Sequence, residues 1–471
     1  MNFKVRSLVA ATLAGSMLMG FGVNAMADST TDIVNALVSK GVLTEEEGAL
    51  LTKGRTDEAA GQAKALKKAG KLKVSDAIDN ATVYGDIRVR YEDRSGTGFG
   101  ATVANTHETR DRARYKMTLG VKTESGDWYT DLALAMGANG RSDNATFGKA
   151  ATSNINDKET VFIKRAMVGY KATDWLTIEA GRMTNPLYTT PMVWDADLTW
   201  EGLAEMAKFK VGSADIFLTA AQESYQGDRK NFDVGAASTM TTELYAFQGG
   251  AKLPINDNAS VKGAVTYSKF GKNTSSSNFK PGISNAAYVA SAGVNNLETI
   301  EIPAEVNWMA SSNVGVRLFG DYVVNTKGTE RYNAAVAATA AGAARTAVSA
   351  AGNDDKAWML GVAIGSAKDL KAFEGNKMAK GDWSARIWYQ DVGVYSVDPN
   401  AVDSDFMDSR VNMKGTTFKA QYNVQDNVAI NLAYGHATPK NDALATAGSG
   451  KDLDLNLKKY DLFQLDLTYK F

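Results

Sequence analysis

The sequence predicts an all-β fold, a transmembrane antiparallel up-and-down β-barrel of about 16 strands with a short N-terminal helical segment. Three observations predict this fold class. Apolar and polar residues alternate with a period of two from residue 81 onward, the alternating runs are about 9–13 residues long, and long and short connections alternate along the chain. Tilted strands of this length are typical of a sheet that crosses a bilayer.

Composition excludes several classes of protein. The chain has 471 residues, no cysteine, two histidines and a formal net charge of −1. Without cysteine there is no disulfide scaffold, thiolate zinc site or cysteine nucleophile. Two histidines argue against a histidine-rich metal centre, and a near-neutral charge argues against a nucleic-acid partner. We therefore predict no metal and no cofactor.

The first 27 residues have the pattern of a cleaved secretory signal peptide. Lys4 and Arg6 supply the positive region, and an apolar stretch runs from Leu8 to Gly22. Ala25-Met26-Ala27 then forms a small-x-small cleavage site before Asp28. No later segment approaches the 18 or so apolar residues of a spanning helix.

Residues 28–75 differ in character from all that follows. Ile33, Val34, Leu37 and Val38 form an apolar helical stripe, and Thr44 to Glu47 is a capping box. We predict a helical periplasmic segment here. It is either a spacer, an oligomerisation element or a contact to the cell wall, or simply a helical lead-in without a ligand.

From residue 81 the period changes to two. Val83, Ile87, Val89 and Tyr91 alternate with polar and charged residues in the first run. Sixteen runs of this kind are predicted, near residues 81–92, 112–123, 127–137, 160–171, 174–182, 199–212, 214–222, 242–254, 258–270, 298–310, 313–325, 356–367, 382–393, 414–424, 427–437 and 460–471.

Connections between the runs alternate in length. Short ones such as 125–127 and 425–427 carry turn residues, whereas long ones include 93–111, 138–159 and 394–413. An up-and-down barrel puts alternate connections at opposite rims, which explains the alternation. The turn near 368–381 is longer than this rule predicts.

The sheet must bury its apolar face in lipid or against a second sheet. In hydrocarbon every backbone N–H and C=O needs a partner within the protein, so the sheet has to close. We assign residues 76–471 to the barrel and expect Tyr115, Val306 and Leu465 to point outward, toward acyl chains. A water-soluble β-sandwich or β-helix is the alternative.

The final strand carries a resemblance. Phe463, Leu465, Leu467, Tyr469 and Phe471 share one face, and Phe471 ends the chain. This pattern resembles the last strand of Gram-negative outer-membrane proteins, in which the terminal Phe is recognised by the barrel assembly machinery. The segments 181–186, 193–198 and 201–202 are similar to those of outer-membrane porins. From about residue 81 the chain resembles the sixteen-stranded general porin family.

The resemblance implies a cell outer-membrane location in a Gram-negative bacterium. It implies a water-filled diffusion channel for small hydrophilic solutes and ions, commonly a homotrimer, in contact with outer-membrane lipid. It also implies that the third long loop, near residues 183–198, folds into the barrel and narrows the pore.

Charge on the first two runs suggests how such a pore would be lined. Arg88, Arg90, Arg112, Arg114 and Lys116 share the polar face, and we call these five residues the basic wall. One interpretation is that they face the acidic loop residues Asp195, Asp197 and Glu201 across a constriction. The other is a solvated polar face, partly neutralised by Asp86 and Glu92.

Arg182 is predicted to line the pore together with these five residues, although the alternation along its strand places it on the lipid face. A bulge would turn it inward, where Asp195 could pair with it. Further lumen candidates are Glu179, Lys208, Lys210, Arg317, Asp321, Arg386 and Lys419.

Two other function classes compete with a diffusion channel. A barrel enzyme needs a nucleophile beside a base, but His107 and His436 are the only histidines, and G-x-S-x-G and H-E-x-x-H are absent. We therefore expect no enzyme. The alternative is a structural or adhesive outer-membrane barrel whose loops 271–297 and 329–352 bind partners.

Overall fold

The computed structural model describes residues 78–99, 106–137, 142–148, 158–226, 242–271, 279–283, 293–375, 378–448 and 452–471. The predicted signal peptide and the predicted helical segment at 28–75 lie outside the described residues.

Sixteen antiparallel strands close into one barrel. The strands are β1 Asn80–Phe99, β2 Thr106–Ser125, β3 Trp128–Gly137, β4 Thr160–Lys171, β5 Leu176–Thr184, β6 Thr199–Val211, β7 Ala214–Gln226, β8 Thr242–Asn256, β9 Ala259–Phe270, β10 Glu298–Glu301 with Ala304–Ser311, β11 Val314–Asn325, β12 Lys356–Ser366, β13 Trp383–Val392, β14 Met413–Gln425, β15 Val428–Pro439 and β16 Asn456–Lys470.

The predicted strands correspond to these sixteen, with two differences. The predicted long loop 93–111 is mostly strand, because β1 and β2 stay paired up to Gly98 and Thr106. β10 is interrupted at Ile302 and Pro303. Proline has no backbone N–H to donate to a neighbouring strand, although the Pro303 carbonyl still accepts a hydrogen bond from the Ala264 N–H.

Pairing of the first and last strands closes the barrel. β1 and β16 are in continuous register from Asp86 opposite Lys470 to Thr97 opposite Lys459. Next to the Asp86–Lys470 pair, Gly85 and Phe471 exchange two backbone hydrogen bonds of 3.0 and 3.1 Å. β1 and β16 therefore close the sheet along their paired length, and their backbone groups there have partners within the protein, as an apolar medium requires.

The two faces of the sheet differ sharply in chemistry. On β1 the outward side chains are apolar and exposed, as at Val89, which is 46% exposed, whereas the inward Arg90 is 4% exposed. Leu465 is exposed on the outer face. Tyr115 and Val306 are register partners of the exposed Val89 and Leu318, so they lie on the outer face as expected.

A buried apolar cluster lies between the long connections. Loop 326–355 contains two helices, α1 Gly328–Ala338 and α2 Ala343–Ala351. Ala335 and Val348 of these helices pack with residues of loop 393–412, among them Tyr395 and Phe406. The long connections thus share a small core with inward-facing strand residues such as Val323 and Trp388.

The long turn 367–382, on the short-turn side, also packs against the inner face. It contains helix α3, Leu370–Gly375. Glu374 of this helix contacts Lys252 on β8 and Ser260 on β9, and Phe373 lies against Gly315 on β11.

Among the described residues, no helix is long and apolar enough to cross a bilayer.

Candidate functional site: the barrel interior

The basic wall is built by the pairing of β1 with β2. Arg90 lies opposite Arg114, and Arg88 lies opposite Lys116, on the inward face. Like charges directly across two strands destabilise a sheet, so this arrangement needs counter-charges.

Two carboxylates of the strands supply part of that charge. Arg90 makes a bidentate pair with Asp466 on β16, with Nε–Oδ1 and Nη2–Oδ2 distances of 2.7 and 2.9 Å. Glu92, which is fully buried, accepts a 2.8 Å hydrogen bond from Arg112 Nε and lies 3.0 Å from Arg94 Nε. The wall is therefore a buried ion-pair network, and Glu92 supplies part of its counter-charge.

A loop that carries none of the predicted site residues supplies more counter-charge. Residues 393–412, here called loop B, connect β13 to β14 and are almost entirely buried. Asp405 of loop B lies 3.1 Å from Arg90 Nη1 and 3.2 Å from Arg94 Nη2. Asp408 lies 3.3 Å from Arg94 Nη1. Loop B thus contacts the barrel wall from the inside.

A signal for loop B was present in the sequence. Between residues 393 and 409 the chain carries four aspartates and no basic residue, and Arg410 follows. Burial tends to raise the pKa of Asp405, but Arg90 and Arg94 hold that pKa well below its usual range. Asp405 therefore stays ionised against the basic wall.

The constriction loop was predicted near residues 183–198; Met183 and Thr184 still belong to β5, and the connection to β6, residues 185–198, is here called loop A. It packs against inward side chains of the opposite wall: the Tyr188 N–H donates to Gln248 at 2.9 Å, and the Thr190 hydroxyl donates to Asp321 at 2.5 Å. Thr189 makes a similar bond of 2.5 Å to Glu301.

The two predicted acids of loop A have different roles. Asp197 lies 3.6 Å from Lys116 Nζ. Burial tends to raise its pKa, but Lys116 and Lys164 lower it. Asp195 instead accepts backbone hydrogen bonds from Asp197 and Ser404, at 2.9 and 3.0 Å, and burial raises its pKa. Only Asp197 of the two contacts a basic-wall residue directly.

Loops A and B are joined by main-chain hydrogen bonds. The Asp195 N–H donates to the Ala401 carbonyl at 2.6 Å, and the Asp403 N–H donates to the Pro191 carbonyl at 3.0 Å. Together the loops form a partition attached to the basic wall by Asp405 and to the opposite wall by Thr190.

Arg182 and Glu201 correct two of the predicted site residues. The register of β5 and β6 places them opposite each other, on the same face as the exposed Leu203. They form an ion pair with each other. Neither lies in the interior, since no register shift turns Arg182 inward and its partner is Glu201 instead of Asp195.

A cavity of about 830 Å³ lies on the short-turn side of the partition. It extends from Arg90 and Asp405 to the turn residues Asp426 and Asn427. Further residues that line it are Arg88, Lys116, Arg317, Arg386, Lys419 and Gln421. An internal space of this size with charged walls can hold water and small ions.

Phe471 and Tyr469, the predicted assembly signal, lie on the outer face and are exposed. The Phe471 ring covers Gly85, where an added Cβ would lie 2.6 Å from the ring.

Among the described residues, no group of three or more His, Cys, Asp and Glu side chains could hold a metal ion.

Comparison with known proteins identifies the family. The family model described as "Putative porin" matches residues 93–295 and 277–471. A search of curated proteins finds no match. The two matched stretches cover β1 beyond Glu92, the partition and the remaining strands to the C-terminus. By this match, and with a closed sixteen-stranded barrel, the chain belongs to the family of putative porins.

Proposed function

We propose that this protein is an outer-membrane porin, a water-filled diffusion channel for small hydrophilic solutes and ions. The observation that carries the proposal is the contrast between an apolar, exposed outer face and a charged inner face in a closed barrel of sixteen strands. Barrels of this strand number are wide enough to leave an aqueous channel, whereas eight strands are filled by side chains.

Membrane embedding is part of the proposal. The outward face carries exposed Leu, Val, Ile, Trp and Tyr side chains on all sides of the barrel. An exposed apolar surface of this extent is unfavourable in water and favourable in the hydrocarbon of a bilayer. We infer insertion in the outer membrane of a Gram-negative bacterium, with Tyr469 and Phe471 as the signal for the assembly machinery.

Loops A and B are proposed to narrow the channel. Their hydrogen bonds to each other, and to Arg90 and Asp321 on opposite walls, support a partition that leaves only part of the cross-section open. Solutes would then pass between fixed charges, which orient dipoles and sort ions by sign. We expect no catalytic activity.

Single-channel recording tests the proposal. The purified full chain is added to a planar bilayer, with the same chain unfolded by heat as the control. Stepwise conductance increases from the folded protein only are expected. A folded protein that inserts into vesicles but gives no conductance would contradict the channel and favour the adhesive alternative.

The trimer, and the role of residues 28–75, stay predictions. Chemical crosslinking of the protein in native membranes tests the first. Binding of the full chain to purified cell wall, compared with a chain lacking residues 28–75, tests the second.

A further inference from the structure

Three cations lie side by side on the inner face, away from the basic wall. The register pairs Arg317 on β11 with Ala363 on β12, Ala363 with Arg386 on β13, and Arg386 with Lys419 on β14. All four residues line the cavity described above. We call Arg317, Arg386 and Lys419 the cationic rung.

The rung is less neutralised than Arg90 and Arg112 of the basic wall, each of which has a carboxylate oxygen within 2.7 Å. Lys419 Nζ lies 3.9 Å from Asp403, and Arg317 Nε lies 3.7 Å from Glu305. Within the described part of the chain, Arg386 has no carboxylate within 4.0 Å. By contrast, Arg90 of the basic wall has direct hydrogen bonds to two carboxylates.

Local packing holds the rung in place without neutralising it. The guanidinium of Arg386 and the ammonium of Lys419 both lie near the Trp388 ring, 5.4 and 5.6 Å from its centroid. A cation beside an aromatic face is stabilised but keeps its charge. Because Ala363 is small, the space between Arg317 and Arg386 stays open to the cavity.

We propose that the cationic rung is a binding site for small oxyanions, such as carboxylates and phosphates, and that it makes the channel prefer anions. This inference rests on the proposed function. Adjacent like charges on paired strands are unfavourable until a counter-ion binds. Arginine presents paired N–H donors that match the two oxygens of a carboxylate or phosphate, and a water-filled cavity lets such a solute reach them.

The test measures ion preference in planar bilayers. Reversal potentials are recorded for the wild type, for the double variant Arg386→Gln with Lys419→Gln, and for a control, Lys327→Gln. Lys327 is partly exposed, precedes α1 on the long-loop side and pairs with Glu330. The wild type and the control should pass chloride in preference to potassium. Each lost charge should lower the chloride-to-potassium permeability ratio about threefold. This factor corresponds to the Coulomb energy between an ion and one charge at about 7 Å in water.

Competition tests binding itself. Inorganic phosphate and acetate, each added to the chloride solution, should reduce chloride current through the wild type and the control but not through the double variant. A second variant, Ala363→Glu, keeps every cation and places a carboxylate within the rung. It should also lower the chloride preference and weaken the competition by phosphate and acetate. It therefore tests the rung even if the double variant fails to fold.

The outcomes separate the two proposals. If the wild type forms no channel, the proposed function fails and this inference fails with it. If channels form but show no chloride preference, or if Ala363→Glu leaves preference and competition unchanged, only the cationic rung is overturned.

Discussion

Asp405 of loop B lies 3.1 Å from Arg90 of the basic wall, and the two residues are 315 positions apart in the chain. Arg90 is buried, and Asp405 also lies close to Arg94 and accepts a hydrogen bond from Gln464 at 3.0 Å. This one carboxylate therefore joins an interior loop to two strands of the wall, β1 and β16.

Asp405→Asn should release loop B from the wall. Removing one partner of a buried ion pair leaves the other charge uncompensated, which typically costs about 3–5 kcal/mol. We expect a lower free energy of unfolding in urea, measured in detergent micelles, together with a larger single-channel conductance. Asp442→Asn, in an exposed loop position, is the matched control. Equal conductance in both variants would show that loop B does not restrict the channel.

Ion preference should depend on pH through Asp403. Burial raises the pKa of this carboxyl to about 7. The neighbouring carboxylates of Asp405 and Asp195 also raise this pKa, whereas Lys419 lowers it. Protonation removes a negative charge beside Lys419, so the chloride-to-potassium permeability ratio should be higher at pH 6 than at pH 8. Asp403→Asn should keep the high ratio at both values. If the permeability ratio of Asp403→Asn still changes with pH, a group other than Asp403 causes the pH dependence.

The same carboxyl predicts a trend in stability. Its pKa in the folded protein lies above the value of about 3.9 for an unfolded aspartate, so the folded state binds the proton more tightly. Its contribution to stability is therefore lost as pH rises through 7. Urea unfolding at pH 6 and pH 8 should show a smaller pH dependence in Asp403→Asn than in the wild type.

Arg182 and Glu201 should behave as a coupled pair on the outer face. Glu201→Gln leaves an arginine without its partner on a surface proposed to face lipid, where an arginine costs about 2–4 kcal/mol near the midplane and little near the interface. We expect the single variant to be less stable than the double variant Arg182→Gln with Glu201→Gln in lipid vesicles. Additive effects of the two substitutions would show that the pair is not coupled.

Gly181→Ala should weaken the hairpin that leads into loop A. Gly181 has a φ of 119°, a conformation that other residues avoid, and an added Cβ would lie 2.3 Å from the Ala166 carbonyl oxygen. Backbone strain of this kind costs about 1–3 kcal/mol. Gly249→Ala is the control, since its Cβ would meet only Leu218, at an ordinary 3.5 Å. Thermal unfolding should distinguish the two variants.

Strand positions were predictable because their cause is local. A side-chain period of two and short turn motifs are visible within a dozen residues, so the predicted run 160–171 coincides with β4. Parity also placed Arg182 on the outer face. The suggested bulge toward Asp195 was wrong, because a bulge depends on pairing with β4 and β6, which the local sequence does not reveal.

By itself the sequence determined the all-β class, the strands, their apolar faces and the basic wall, since alternation along one strand sets which side chains share a face. Only the tertiary structure decided which charges meet. Asp405 reaches Arg90, and Arg386 lies beside Lys419, through loop insertion and strand register. These contacts join residues far apart in the chain, and their geometry follows from closing sixteen strands into one barrel.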